Sequence, residues 1–193
     1  ILTQFMQLVQ EFNILSKMDF SRGFNIHLAT LFGIGKIPGG GTWASLIVLL
    51  IALYENNAGT ASFLAFLSLI IGPKAYKKLV SVVDTEDPKE FVLDEVIGMG
   101  IAISGVYIFS RLINEFSFNI FSDYTSLSDI GNLFILTFIV FRFFDISKIG
   151  PVGWVEKNSN EKAYNKVIGD DIVAAILSIL IVIIILSINL WVL

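Results

Sequence analysis

Three short stretches concentrate the side chains able to do chemistry in this chain. Asp94-Glu95 is one carboxylate pair and Asp170-Asp171 another, while Arg142, Asp145 and Lys148 stand at i, i+3 and i+6. At that spacing each is a neighbour of the next along one helix surface. Five carboxylates drawn together repel, and the usual remedy is a hard cation with oxygen ligands, which suits Mg²⁺ and also Mn²⁺. Such an ion clamps a phosphate and polarises its oxygens. Arg142, Lys148 and Lys36 would form the cationic side of an anion site. A fourth stretch, GIGKIPGGGT over 33–42, can offer backbone N–H groups at a helix start to an anion. It is not a Walker loop, because the Gly-Lys-Ser/Thr ending is missing. Each feature also has a plain account. Carboxylates at a helix N-terminus complement the dipole and cap free N–H groups, and glycines permit sharp bends or close helix packing. His27 is the only histidine and Cys is absent, so imidazole and thiolate chemistry have almost no foothold.

The elements that must position these residues are apolar. Of 193 residues 55% are hydrophobic and 16% charged, and mean hydropathy is +0.78. A soluble domain carries about 25% charged residues, so too little charge is present to cover a water-facing surface. Disorder is excluded, and 13 basic against 17 acidic residues argue against a nucleic-acid-binding stripe. Residues 172–193 run 22 positions without a charge, the length of a bilayer span. Residues 96–113 and 131–144 form two further apolar blocks, each with an arginine near its end. Two briefer blocks, 42–54 and 60–71, read as a helical hairpin. Its first helix is only about 20 Å long, short of the roughly 30 Å hydrocarbon layer, and its second runs on past Pro73. Residues 1–25 form an amphipathic segment suited to the membrane surface, and 26–193 a single membrane-embedded domain.

Charge placement sets the topology. With the hairpin going in and back, twelve of the thirteen basic residues fall on one side and only Arg111 on the other; the 114–130 loop contains no Lys or Arg. The positive-inside rule makes the basic side cytoplasmic. Both acidic pairs, Asp145, Arg142, Lys148 and the glycine turn then lie at that same boundary, with Asp94-Glu95 opening one helix and Asp170-Asp171 opening the last. The expected fold is an all-α polytopic membrane bundle: a short N-terminal hairpin and about three further spanning helices.

Four segments, in order, resemble the phosphatidylglycerophosphatase A family. GIGKIPGGGTWAS over 33–45 is similar to its GxGxxP…PGTxGS segment, and LDEVIGM over 93–99 to its DExIGM motif. FRFFDISK over 141–148 resembles FRxFDxxKP, and GDDIVA over 169–174 resembles DDIVAG. Each motif is weak alone, whereas the ordered set is specific. The chain departs from the pattern at Gly40, where a second Pro is usual, at Ala44 and Ala175 for Gly, and at Ile149 for Pro. Residues 164–169 match the glycine-rich approach to the Asp pair poorly.

The resemblance implies a Mg²⁺-dependent lipid phosphatase of the bacterial cytoplasmic (inner) membrane, multi-pass, with its active site on the cytoplasmic face. Its substrate would be the anionic phospholipid phosphatidylglycerophosphate, giving phosphatidylglycerol and phosphate. Asp94, Glu95, Asp145, Asp170 and Asp171 would supply catalytic carboxylates and metal ligands. Arg142, Lys148, Lys36, Gly41 and Thr42 would hold phosphoryl oxygens, with Ser45 assisting. Water attack with a carboxylate base, or a Thr42 or Asp nucleophile with a covalent intermediate, both fit the residues. A small ion or solute carrier using the acids, or a non-catalytic membrane scaffold, remain the readings from other classes.

Overall fold

The computed structural model describes residues 23–85, 88–116, 130–158 and 163–192. All but the last three residues of the amphipathic segment, and most of the 114–130 loop, lie outside the described residues. Among the described residues the only regular elements are helices. Helical residues 23–29 lead into a tight turn and a 3₁₀ helix, Ile34–Lys36. Six α-helices follow: α1 (Gly40–Glu55), α2 (Gly59–Val83), α3 (Leu93–Phe116), α4 (Ile130–Ser147), α5 (Pro151–Asn158) and α6 (Ala163–Val192). The stretches Leu93–Leu112, Ile130–Ser147 and Tyr164–Ile188 are long and apolar enough to cross a membrane. These are the three spanning helices the hydropathy blocks predict.

The expected hairpin is present. With 16 residues, α1 is about 24 Å long, shorter than the hydrocarbon layer. It ends at Asn56 in the left-handed region, and Asn57 Oδ1 accepts the Gly59 N–H (2.6 Å) to start α2. Helix α2 continues through Pro73, as the sequence suggests. As far as Ala75 its buried face is built of small residues at helical spacing, Ala61, Ala65, Ser68, Gly72 and Ala75, with Tyr76 and Leu79 following. Against lipid no hydrophobic force drives helices together, so close backbone approach and interhelical bonds must do so. Both occur here. A Cβ on Gly100 of α3 would overlap Ala61 O and Ala65 Cβ at 2.7 Å, and Ser62 and Ser104 share a hydrogen bond of 2.6 Å.

Helix α3 is the hub, packing against α1, α2, α4 and α6. Its Ile97, Met99, Ala102, Ile103 and Val106 are buried, and Phe134 and Phe141 of α4 fill the space beside it. The outward faces stay apolar: Ile135, Ile139 and Phe143 on α4, and Ile176, Leu180, Ile184 and Ile188 on α6, are all exposed. An apolar core inside an apolar exterior is the pattern of a helix bundle solvated by lipid.

One boundary differs from the sequence reading. The last helix starts at Ala163, not at Asp170, so the Asp170-Asp171 pair lies in its second and third turns. No acidic residue occupies the first turn of α6. The uncharged run begins only at Ile172, because the helix already contains Lys166, Asp170 and Asp171 before it.

Candidate active site

The glycine turn sets two helix starts side by side. Val92 N–H donates to Ala29 O (3.1 Å), and the Glu90 carbonyl presses so closely on Gly35 that a Cβ there would overlap it. The strand of chain entering α3 is thereby pinned against the turn entering α1. Gly39 caps α1 in the left-handed region (φ 73°) and offers no side-chain cap; the Gly40 N–H donates to Ile37 O (3.0 Å), which leaves those of Gly41 and Thr42 for other acceptors. One turn further, a Cβ on Gly41 would overlap Glu95 Oε1. Only glycine lets this carboxylate lie on the start of α1.

Glu95 is the centre of a bonded network. Its Oε2 accepts from Ser45 Oγ (2.9 Å) and from Arg142 Nη1 (2.5 Å). Arg142 Nη1 also reaches Asp145 Oδ2 (2.6 Å), and its Nη2 donates to Thr42 Oγ1 (3.0 Å). Lys148 pairs with Asp170 Oδ2 and lies 3.6 Å from Asp145 Oδ1. The Ser45, Asp145, Asp170 and Asp171 side chains are buried, and Arg142 is largely so. Arg142 Nε is buried without a hydrogen-bond partner among the described residues, so one donor of this guanidinium is uncommitted.

Lys148 completes the bracing by an unusual route. It follows the last residue of α4 with φ 50°, a left-handed conformation that glycine favours at this position and that costs a side-chain-bearing residue about 1 kcal/mol. The turn aims its ammonium at two carboxylates. Burial alone would lower its pKa, but the hydrogen bond and charge of Asp170, then the charges of Asp145 and Asp171, overcome that and hold it above the ordinary lysine range. Lys148 stays protonated at any physiological pH.

Oxygens of Glu95, Asp145 and Asp171, from α3, α4 and α6, all lie within 4.8 Å of one another. Three hard oxygen donors at that spacing fit a divalent cation such as Mg²⁺. Asp94 and Asp170 sit beside this trio. Asp94 Oδ1 accepts the Glu95 N–H (2.9 Å), so for Asp94 the helix-start reading has a real bond behind it. The Asp170-Asp171 pair is past the free N–H groups of its helix, and capping does not explain it.

Of the sequence-predicted site residues, Asp94, Glu95, Asp145, Asp170, Asp171, Gly41, Thr42, Ser45, Arg142 and Lys148 come together at one end of the bundle. Lys36 does not join them: it is exposed on the 3₁₀ turn and makes no ion pair among the described residues. Gly98 was not singled out from sequence. A Cβ there would meet the Phe141 ring at 2.8 Å and Asp171 Cβ at 3.1 Å, so this glycine lets α6 bring Asp171 to the site. Its place at i+3 from Glu95, on the same helix, was the available signal.

Fold and site together define a polytopic helical membrane protein with a carboxylate cluster, braced by two cations, at one end of its bundle. The chain belongs to the phosphatidylglycerophosphatase A family, whose profile matches residues 27–186. The family is one of phosphoric monoester hydrolases. A Haemophilus influenzae protein named Phosphatidylglycerophosphatase A is 29% identical over 176 residues, covering 89% of this chain and 94% of its own length. No solved structure matches the chain.

Proposed function

We propose that this protein hydrolyses the terminal phosphate monoester of phosphatidylglycerophosphate, in the bacterial cytoplasmic membrane and on its cytoplasmic face, with Mg²⁺ as cofactor. Family membership supports the reaction class, and one observation carries the site: Glu95, Asp145 and Asp171 converge from three helices to within 4.8 Å. When bound by this trio, Mg²⁺ supplies positive charge that polarises phosphoryl oxygens and acidifies water. Mn²⁺ suits the same oxygen donors.

The chain's own residues do the rest. Fully ionised, Asp94, Glu95, Asp145, Asp170 and Asp171 outnumber Arg142 and Lys148 by three charges, so a phosphate dianion needs cations before it can approach. Arg142 keeps a buried Nε–H donor beyond its bonds to Glu95, Asp145 and Thr42, and with Lys148 it orients phosphoryl oxygens. Gly41 and Thr42, in the first turn of α1, present backbone N–H groups to the same oxygens. A site carboxylate takes the proton of the attacking water as its oxygen bonds to phosphorus; the phosphorus–oxygen bond to glycerol breaks, and that oxygen leaves as an alcohol after gaining a proton. A carrier role is disfavoured by the gathering of these acids at one end of the bundle.

The test is phosphate release by the purified protein in proteoliposomes containing phosphatidylglycerophosphate, with Mg²⁺ or with a chelator. Release that requires Mg²⁺ and yields phosphatidylglycerol is the expected result. No release with Mg²⁺ present overturns the reading.

A further inference from the structure

We propose that a groove between α2, α3 and α6 holds an acyl chain of the phospholipid substrate. The cavity has a volume of about 370 Å³ and is lined by Ser62, Phe66 and Leu69 of α2, Ile101 and Gly105 of α3, and Ile179 of α6. Phe66 and Leu69 are exposed, so it opens onto the lipid-facing side. The absent side chain of Gly105 shapes its floor: a Cβ there would run into Ile179. The proposal rests on the phosphatase reading above, and two observations tie groove to site.

First, the groove and the acids share faces. Asp94, Gly98, Ile101 and Gly105 follow at i, i+4, i+7 and i+11, one stripe of α3. Second, the distance fits the substrate. Along α3, Ile101 and Gly105 lie about 10 and 16 Å from Asp94, and along α6, Ile179 lies about 12 Å from Asp171, at 1.5 Å per residue. In phosphatidylglycerophosphate the terminal phosphorus is separated from an acyl ester oxygen by about ten bonds, which span roughly 12 Å at the advance of an extended chain. With the phosphate at the acids, the acyl chain begins where the groove begins.

Ser62→Phe fills the mouth of the groove from an exposed position, and Ser62→Ala removes the same hydroxyl while leaving the groove open. The full chain in lipid nanodiscs is irradiated with phosphatidylglycerol carrying a diazirine midway along one acyl chain, and adducts are mapped by mass spectrometry. The expected label falls mainly on residues 62–69 and 101–105, is competed by unlabelled phosphatidylglycerol, and drops at least fivefold in Ser62→Phe but not in Ser62→Ala. Labelling spread evenly onto Ile135 and Ile139 of α4, or unaltered by Ser62→Phe, overturns the proposal. In turnover, Ser62→Phe should raise KM for the long-chain lipid about tenfold and leave hydrolysis of the deacylated, water-soluble headgroup unchanged. Wild-type protein inactive on both substrates would remove the phosphatase reading, while the labelling pattern would still decide the groove.

Discussion

Asp171→Asn separates a metal-binding carboxylate from a structural one. The substitution preserves shape and removes one charge from a trio whose oxygens lie within 4.8 Å of one another. At that separation, two ionised carboxylates in a medium of effective dielectric about 20 repel by roughly 3.5 kcal/mol. Arg142 and Lys148 offset part of this, so relief in the metal-free protein amounts to about 1–3 kcal/mol of added stability. Mg²⁺ reverses the sign, because the same charge then holds the cation. Activity should fall by two orders of magnitude or more, a barrier increase of about 2.7 kcal/mol. The assay is paired: phosphate release at saturating Mg²⁺, and thermal unfolding in detergent with Mg²⁺ or chelator, on one purified sample. The wild type should be stabilised by Mg²⁺, and the variant should start higher and gain little. Near-wild-type turnover, or an undiminished Mg²⁺-dependent rise in Tm, would falsify the assignment of Asp171 to the metal trio.

Three further outcomes are expected, two from the same geometry and one from the placement of basic residues. Arg142→Ala leaves Glu95, Asp145 and Thr42 without their shared donor and should destabilise the chelator-treated protein by about 3–5 kcal/mol, read by denaturation in detergent, with Mg²⁺ restoring part of the loss. Gly41→Ala pushes a methyl group into Glu95 Oε1; kcat should drop at least tenfold with an unchanged helical circular dichroism spectrum, and full activity would show that Glu95 need not lie on the start of α1. Single cysteines at Ser126 and Ser159, in a chain without native Cys, should respectively react with and be protected from an impermeant thiol reagent in intact cells; equal protection of both contradicts the topology.

How much of this site could be read from the sequence depends on what each signal measures. The carboxylates, Arg142 and Lys148 were visible because charge in an apolar chain is rare and costly, so its positions stand out. Ser45 and Thr42 were placed through the neighbouring glycine motif, and the structure gives each a bond, to Glu95 and from Arg142. Lys36 looked equivalent to Lys148 on charge alone. What separates them is backbone direction: Lys148 is turned inward by a left-handed residue conformation, while Lys36 points outward from a 3₁₀ turn, and neither follows from composition. Gly98 was missed because its role depends on which helix lies opposite, here α6.

The displaced start of α6 bears directly on function. Hydropathy reports where a helix enters the hydrocarbon layer, not where its hydrogen bonds begin, and for this helix the two differ by about nine residues, from Ala163 to Ile172. From sequence, Asp170-Asp171 looked like a pair at a helix start, with free N–H groups and a favourable dipole end to explain it. In the structure those N–H groups belong to the first turn, well below the pair, and the dipole's influence fades within that turn. Two buried acids in the second and third turns of a helix therefore gain little from its terminus. Asp170 has Lys148, which leaves Asp171 packed against Gly98 within 4.8 Å of Glu95 and Asp145 oxygens. A carboxylate so placed raises the energy of the empty fold, and under the proposed function a cation shared by all three would make its position favourable.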